Sequence, residues 1–149
     1  MRNLKRVTNK HLGELLIERG IVNQEQIAMA MAYQKEHGSL FGEVLVELKF
    51  ATEEDIAQAL TCQYGFPYLP LANYEIDPEV LEAVPQDVCC KFCLIPIDKI
   101  GKSLTVAMAD PLNLQALDDV ELITGCTVQT FVSTATDIKE SIERYYRKA

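Results

Sequence analysis

Apolar residues recur along the first part of the chain at spacings of three and four: Leu12, Leu15 and Leu16, then Ile27 and Met31, then Phe41, Val44 and Leu45, then Ile56 and Leu60. That period puts each group on one helix face and predicts four short amphipathic helices. The pattern is a duplication. Residues 11–34 align without gaps on residues 40–63, and nine of the 24 positions are identical, among them Gly13/Gly42, Leu16/Leu45, Ile27/Ile56, Ala30/Ala59 and Gln34/Gln63. The longer helix of each copy follows Asn23 or Thr52, with Gln26 or Asp55 three residues on, which satisfies a capping box. Each copy therefore reads as a helix-turn-helix unit. Its longer helix is expected to bury Ile27, Met31 and Gln34, or Ile56, Leu60 and Gln63, on one face. A buried amide at the same place in both copies needs a partner. Backbone of the neighbouring repeat and the edge of a planar ligand both qualify.

The period changes after Gly65. Two prolines in residues 67–71 bar a central strand, so residues 65–71 read as a linker or edge strand. Asp77-Pro78 predicts a capped short helix over residues 78–84. Residues 94–98 and 103–109 read as strands paired around a turn at Ile100-Gly101. Asp110-Pro111 opens a predicted helix carrying Leu114, Leu117 and Val120, stopped by Gly125. Residues 127–132 alternate as a strand, and Thr134 with Asp137 caps a last helix whose face holds Ile138, Ile142 and Tyr145. The expectation is an α+β chain: an N-terminal all-helical tandem helix-turn-helix repeat over residues 10–64, then a small α/β subdomain over residues 72–149 with three to four strands and flanking helices.

Composition and charge narrow the function. At 149 residues and 48% hydrophobic content, the chain is long and apolar enough for an ordinary core. The net charge is -8, yet Arg2, Lys5, Arg6 and Lys10 place four of the 14 bases in the first ten residues, leaving 10 bases against 22 acids. Broad adhesion to nucleic acid or to an anionic membrane is excluded by that balance. Residues 1–9 read as a basic flexible arm, either a solvated terminus or a contact segment. The chain has neither an apolar run of bilayer length nor a signal-peptide pattern, so the expected location is cytoplasmic, without direct membrane insertion. Five cysteines are then expected as free thiols. Cys90 and Cys93 form a CxxC pair without the two further ligands zinc needs, His11 and His37 lying far off, so no metal site is expected.

Catalytic motifs are incomplete. Gly101-Lys102-Ser103 looks like the end of a phosphate-binding loop, but Pro96 stands where that pattern needs its first glycine, which leaves an ordinary hairpin turn. Neither histidine has a neighbouring serine or cysteine in a nucleophile elbow. Glu14, Glu18, Glu43, Glu47, Glu53 and Glu54 fall where solvated helix faces would put them, and Met29 and Met31 read as core. No catalytic residue is expected.

Leu12-Gly13 followed by Gly20, Ile27, Met31 and Gln34, then the second copy, then GFPYLPL (65–71), IDPEVLEAVP (76–85), LIPI (94–97), LTVAMADPLNLQALDD (104–119) and DIKESIERYY (137–146) closely resemble one family. It is the N-terminal domain, of MshEN or GspE type, of type II secretion and type IV pilus assembly ATPases. The resemblance runs over roughly residues 10–147. It implies a non-catalytic regulatory and docking module that couples a motor to the cytoplasmic part of an inner-membrane platform protein, peripheral at that membrane through the partner. A separate ATPase motor is a further implied partner, since the motor core is expected to follow this region in the full proteins, which makes the chain a standalone module or an excised domain. No cofactor is implied, but one branch of the family binds cyclic di-GMP through the tandem repeat. The residues implied for that ligand are Lys10, His11, Leu12, Gly13, Ile27, Met31 and Gln34, and Leu40, Phe41, Gly42, Ile56, Leu60 and Gln63. The chain departs from the family pattern at its basic anchors, where His11 and Leu40 stand, and at Lys49 in place of glycine. Charged hydrogen bonds are worth ~1.5 to 3 kcal/mol each, so losing two weakens a dinucleotide site by roughly two to four decades.

Overall fold

The computed structural model describes residues 9–72 and 74–146, with side chains from Leu12 onward; of the expected basic arm, residues 1–9, all but Asn9 lies outside the described residues, and Asn9 opens the first helix. Four helices come first: α1 (Asn9–Glu18), α2 (Gln24–His37), α3 (Phe41–Glu47) and α4 (Glu53–Tyr64). Asn23 and Thr52 each accept the N3 amide, at 2.8 and 3.0 Å, and the N3 side chains of Gln26 and Asp55 return the bond. The α1–α2 and α3–α4 turns share one hydrogen-bond pattern. Ile21 N–H donates to Leu16 and Phe50 N–H to Leu45, both at 2.9 Å, while Gly20 (φ 76°) and Lys49 (φ 65°) take the left-handed position. Lys49 thus adopts a conformation that suits glycine.

The second half contains α5 (Pro78–Leu81), α6 (Gln86–Phe92), β1 (Leu94–Ile100), β2 (Ser103–Met108), α7 (Leu114–Thr124), β3 (Thr127–Val132) and α8 (Ala135–Tyr146). The three strands form one sheet in the order β1-β2-β3. β1 pairs antiparallel with β2 through the turn at Gly101, and β3 pairs parallel with β2 after the α7 crossover. Tyr68 adds an isolated parallel bridge to Val132, so the proline-bearing segment lies along the sheet edge. The α+β class holds, with eight helices and a three-stranded mixed sheet among the described residues.

Two apolar clusters hold the molecule. One gathers Leu12, Leu16, Phe41, Val44, Leu45 and Leu60 from the first four helices, and it is completed by Leu112 and Val132 from the second half. The other packs α5, α6, α7 and α8 on the sheet through Val80, Phe92, Ile95, Val106, Val120 and Ile138.

Several local expectations need correction. Met31 is 42% exposed and Met29 57%, so neither is core; the buried face of α2 is Ile27 and Ala30, one residue out of phase with the expected set. Gln63 is exposed and Gln34 half-buried, whereas Ala59, beside Leu60, turns inward. Asp77 makes no side-chain cap and α5 ends at Leu81. The helix expected from Asp110-Pro111 begins at Leu114, because Asp110 Oδ1 folds back on the Leu112 amide at 3.0 Å and Asn113 accepts from Ala116 instead. Helix α6 was not anticipated at all.

Candidate functional site

A groove of about 220 Å³ opens where α3 and α4 meet the 109–111 turn and the start of α8. Its apolar lining comes from Leu40, Val46, Ile56 and Ala57 on the helical side and Ala109 and Ala135 on the other. Glu43, Glu47, Glu53, Asp110 and Lys139 share the lining, so among the described residues four carboxylates and one ammonium border the groove. The sequence supplies this crowding by putting Glu43, Val46 and Glu47 on one face of α3 through i, i+3 and i+4 spacing.

Each charge has a local tether. Lys139 Nζ lies 3.0 Å from Glu43 Oε2. Burial opposes the lysine's charge, but the bond to Glu43 and the surrounding carboxylates outweigh it and raise its pKa above the ordinary value. Glu53 accepts the Thr136 amide at 3.1 Å and the Thr136 hydroxyl at 2.7 Å, capping the first turn of α8 across the seam. Glu47 accepts the Tyr33 hydroxyl at 2.8 Å. Asp110 differs, since burial pushes its carboxyl up to about 6 against the opposing pull of the Leu112 amide. Ser133 donates its hydroxyl to the Leu69 carbonyl and so ties the sheet edge to the groove wall.

The expected ligand residues divide into five groups. Leu40, Gly42 and Ile56 are brought together in the groove. Leu12, Phe41 and Leu60 are at most 2% exposed, so their side chains pack the core and offer no surface. Gly13 and Ile27 pack on each other, a Cβ at Gly13 falling 3.1 Å from Ile27 Cδ1; the pseudo-equivalent pair Gly42 and Ile56 shows 3.8 Å. Met31, Gln34 and Gln63 do not line the groove. Lys10 and His11 belong to α1, but their side chains lie outside the described residues. Sequence reading placed Glu43, Glu47 and Glu53 on solvated faces and passed over Asp110 and Lys139 as site residues. The signal that pointed to Asp110 was its place at the end of the LTVAMADP stretch.

A concave, carboxylate-rich seam between a helical half and a small mixed sheet marks an α+β module. Residues 64–149 match the MshEN domain, and the chain belongs to the MshEN family. It is 36% identical over 135 residues to the type IV pilus assembly ATPase PilB of Myxococcus xanthus strain DK1622, covering 91% of this chain and 24% of that protein. It is 34% identical over 142 residues to the PilB of Thermus thermophilus, covering 94% and 16%. The chain thus spans a quarter or less of these relatives. Among solved structures, MshE with cdg superimposes with a TM-score of 0.67 at 26% identity, over 91% of this chain and 98% of that one. The N-terminal domain of XpsE superimposes at 0.74 with 24% identity, over 93% and 96%, which shows the shared fold.

Proposed function

We propose that this chain is the regulatory and docking module of a type IV pilus or type II secretion ATPase system, coupling the motor to the cytoplasmic part of an inner-membrane platform protein. The observation that carries the reading is the match to PilB over nine-tenths of this chain. The tandem helix-turn-helix half, residues 10–64, supplies the docking surface; residues 65–71 link it to the supporting subdomain, residues 72–149. The module is non-catalytic and works on the cytoplasmic side, held at the membrane through its partner. Charge reversal at Glu47 and Glu54, both exposed on the helical half, should weaken co-purification with that partner, while Glu140→Lys on α8 should not. Capture unchanged by the first pair defeats the reading.

A second reading is supported by the likeness to MshE with cdg, which we read as cyclic di-GMP. Leu40, Gly42 and Ile56 in the groove fit one half of a planar dinucleotide, and Leu40 stands where a basic anchor is missing. The double change His11→Arg and Leu40→Arg restores a forked donor in each copy. Cyclic di-GMP affinity should rise at least roughly tenfold by calorimetry, with smaller gains for each single change. A folded double variant that does not bind the nucleotide refutes this second reading.

A further inference from the structure

We propose that two copies of this chain associate through the outer face of α2, antiparallel about a two-fold axis level with Ala30. α2 buries Ile27 and Ala30 in the first apolar cluster. Its opposite side is apolar as well, since Ala28, Met29, Met31 and Ala32 are all exposed. A helix apolar on both sides is normally covered on both. The duplicated helix α4 has such a cover: the counterparts of Glu25, Ala28, Met29 and Ala32 are Glu54, Ala57, Gln58 and Thr61, which line one groove together with Tyr68 and Thr134 of the second half. Ala57 is buried there, whereas Ala28 is exposed. The uncovered copy is also the more apolar one, with methionine and alanine where α4 has glutamine and threonine.

The face is its own complement, which selects a second copy over an unrelated partner. Glu25, Ala28, Ala32 and Lys35 follow at helical spacing and form one exposed stripe, flanked by Met29 on one side and Met31 on the other. Outward from Ala30 the positions mirror each other: Met29 with Met31, Ala28 with Ala32, and Glu25 with Lys35 at opposite charge. In an antiparallel pair about that axis, residues equidistant from Ala30 on its two sides lie level. Ala28 then meets Ala32 of the second copy, and Glu25 meets Lys35 of the second copy at both ends. Among the described residues neither Glu25 nor Lys35 is in an ion pair. The alanines let the helix axes approach to about 8 Å, and the methionines fill the flanks. Glu36 adds a like charge beside Glu25, and the contact is a single helix long, so the association is weak.

Sedimentation equilibrium of the full chain, from micromolar to millimolar concentration, should show monomer and dimer in exchange. Met29→Glu sets two carboxylates against each other across the axis and should weaken the dimer at least roughly tenfold, with helical content by circular dichroism unchanged because the position is exposed. Glu25→Lys and Lys35→Glu should each weaken it at least roughly threefold, since each places like charges level at both ends. Combined in one chain they should restore it to within roughly twofold of the parent, because opposite charges again lie level. A chain that stays monomeric to millimolar concentration overturns the proposal. So does a dimer that Met29→Glu leaves intact, which would place the contact on another face, or a combined charge swap as weak as the single changes, which would break the antiparallel register.

Discussion

Asp110 carries the clearest cost among individual residues. Its carboxyl titrates at about 6 when folded, above the ordinary aspartate value of 3.8. Between those values the folded state holds a proton the unfolded chain has released, so the contribution to stability is fully present below about pH 4 and lost as pH rises through 6. Asp110→Asn keeps an acceptor for the Leu112 amide and removes the buried charge. It should stabilise the fold by about 1–3 kcal/mol at pH 8 and leave it unchanged at pH 4; equal melting temperatures to the parent at both pH values would contradict this. Cysteine behaviour is set in the same way. Burial pushes the Cys89 thiol up to about 12 against the pull of the Tyr146 hydroxyl, and burial does the same to Cys93. A thiol reagent should modify Cys62 and Cys90 quickly in the native protein and reach Cys89, Cys93 and Cys126 only after denaturation. None of this burial was legible from the cysteine spacing, because the sulfurs of Cys89 and Cys93 are enclosed by α8, about fifty residues away in sequence.

The elements of the first half were largely legible, because period and caps are local signals. Asn23 and Thr52 cap as their sequence contexts predict. The phase of the buried face was not, since α2 turns Ala30 inward and leaves the larger Met29 and Met31 on its flanks. Helix α6 has no side-chain cap, and it ends on Cys93 at φ 55° where glycine would normally announce the stop, so the sequence carried no signal for it. The two repeats also differ in strain, which gives two predictions. Lys49→Gly should stabilise by about 0.5–1 kcal/mol, the left-handed penalty relieved less the added freedom of the unfolded chain; a lower melting temperature would contradict it. Gly42→Ala meets ordinary contact at 3.8 Å and should gain about 0.5–1 kcal/mol of helix propensity. Gly13→Ala would press on Ile27 at 3.1 Å and should prove less stable than Gly42→Ala in the same denaturant titration.

For the whole molecule, the groove was illegible because residues 40–57 and 109–139 form it jointly, and no local pattern reports such a junction. Leu112 and Val132 lie in the first apolar cluster although their neighbours in sequence build the second. The two halves should therefore melt together. Leu112→Ala should cost about 2–5 kcal/mol and lower hydrogen-exchange protection in α4 and in the sheet alike; protection lost in one half alone would show the clusters to be independent. Helix α8 spans this shared architecture from end to end. Glu53 and Glu43 grip its first residues, while the Tyr145 hydroxyl bonds the Tyr74 carbonyl at 2.7 Å and the Tyr146 hydroxyl bonds the carbonyls of Leu81 and Val84 at 2.9 and 3.0 Å. In mechanical terms the helix is a tie-rod of about 18 Å, bolted at one end to the repeats and at the other to the loop around α5. A tug on its last turn loads both tyrosine bolts at once, and a stiff rod delivers the remaining displacement to the glutamates that wall the groove.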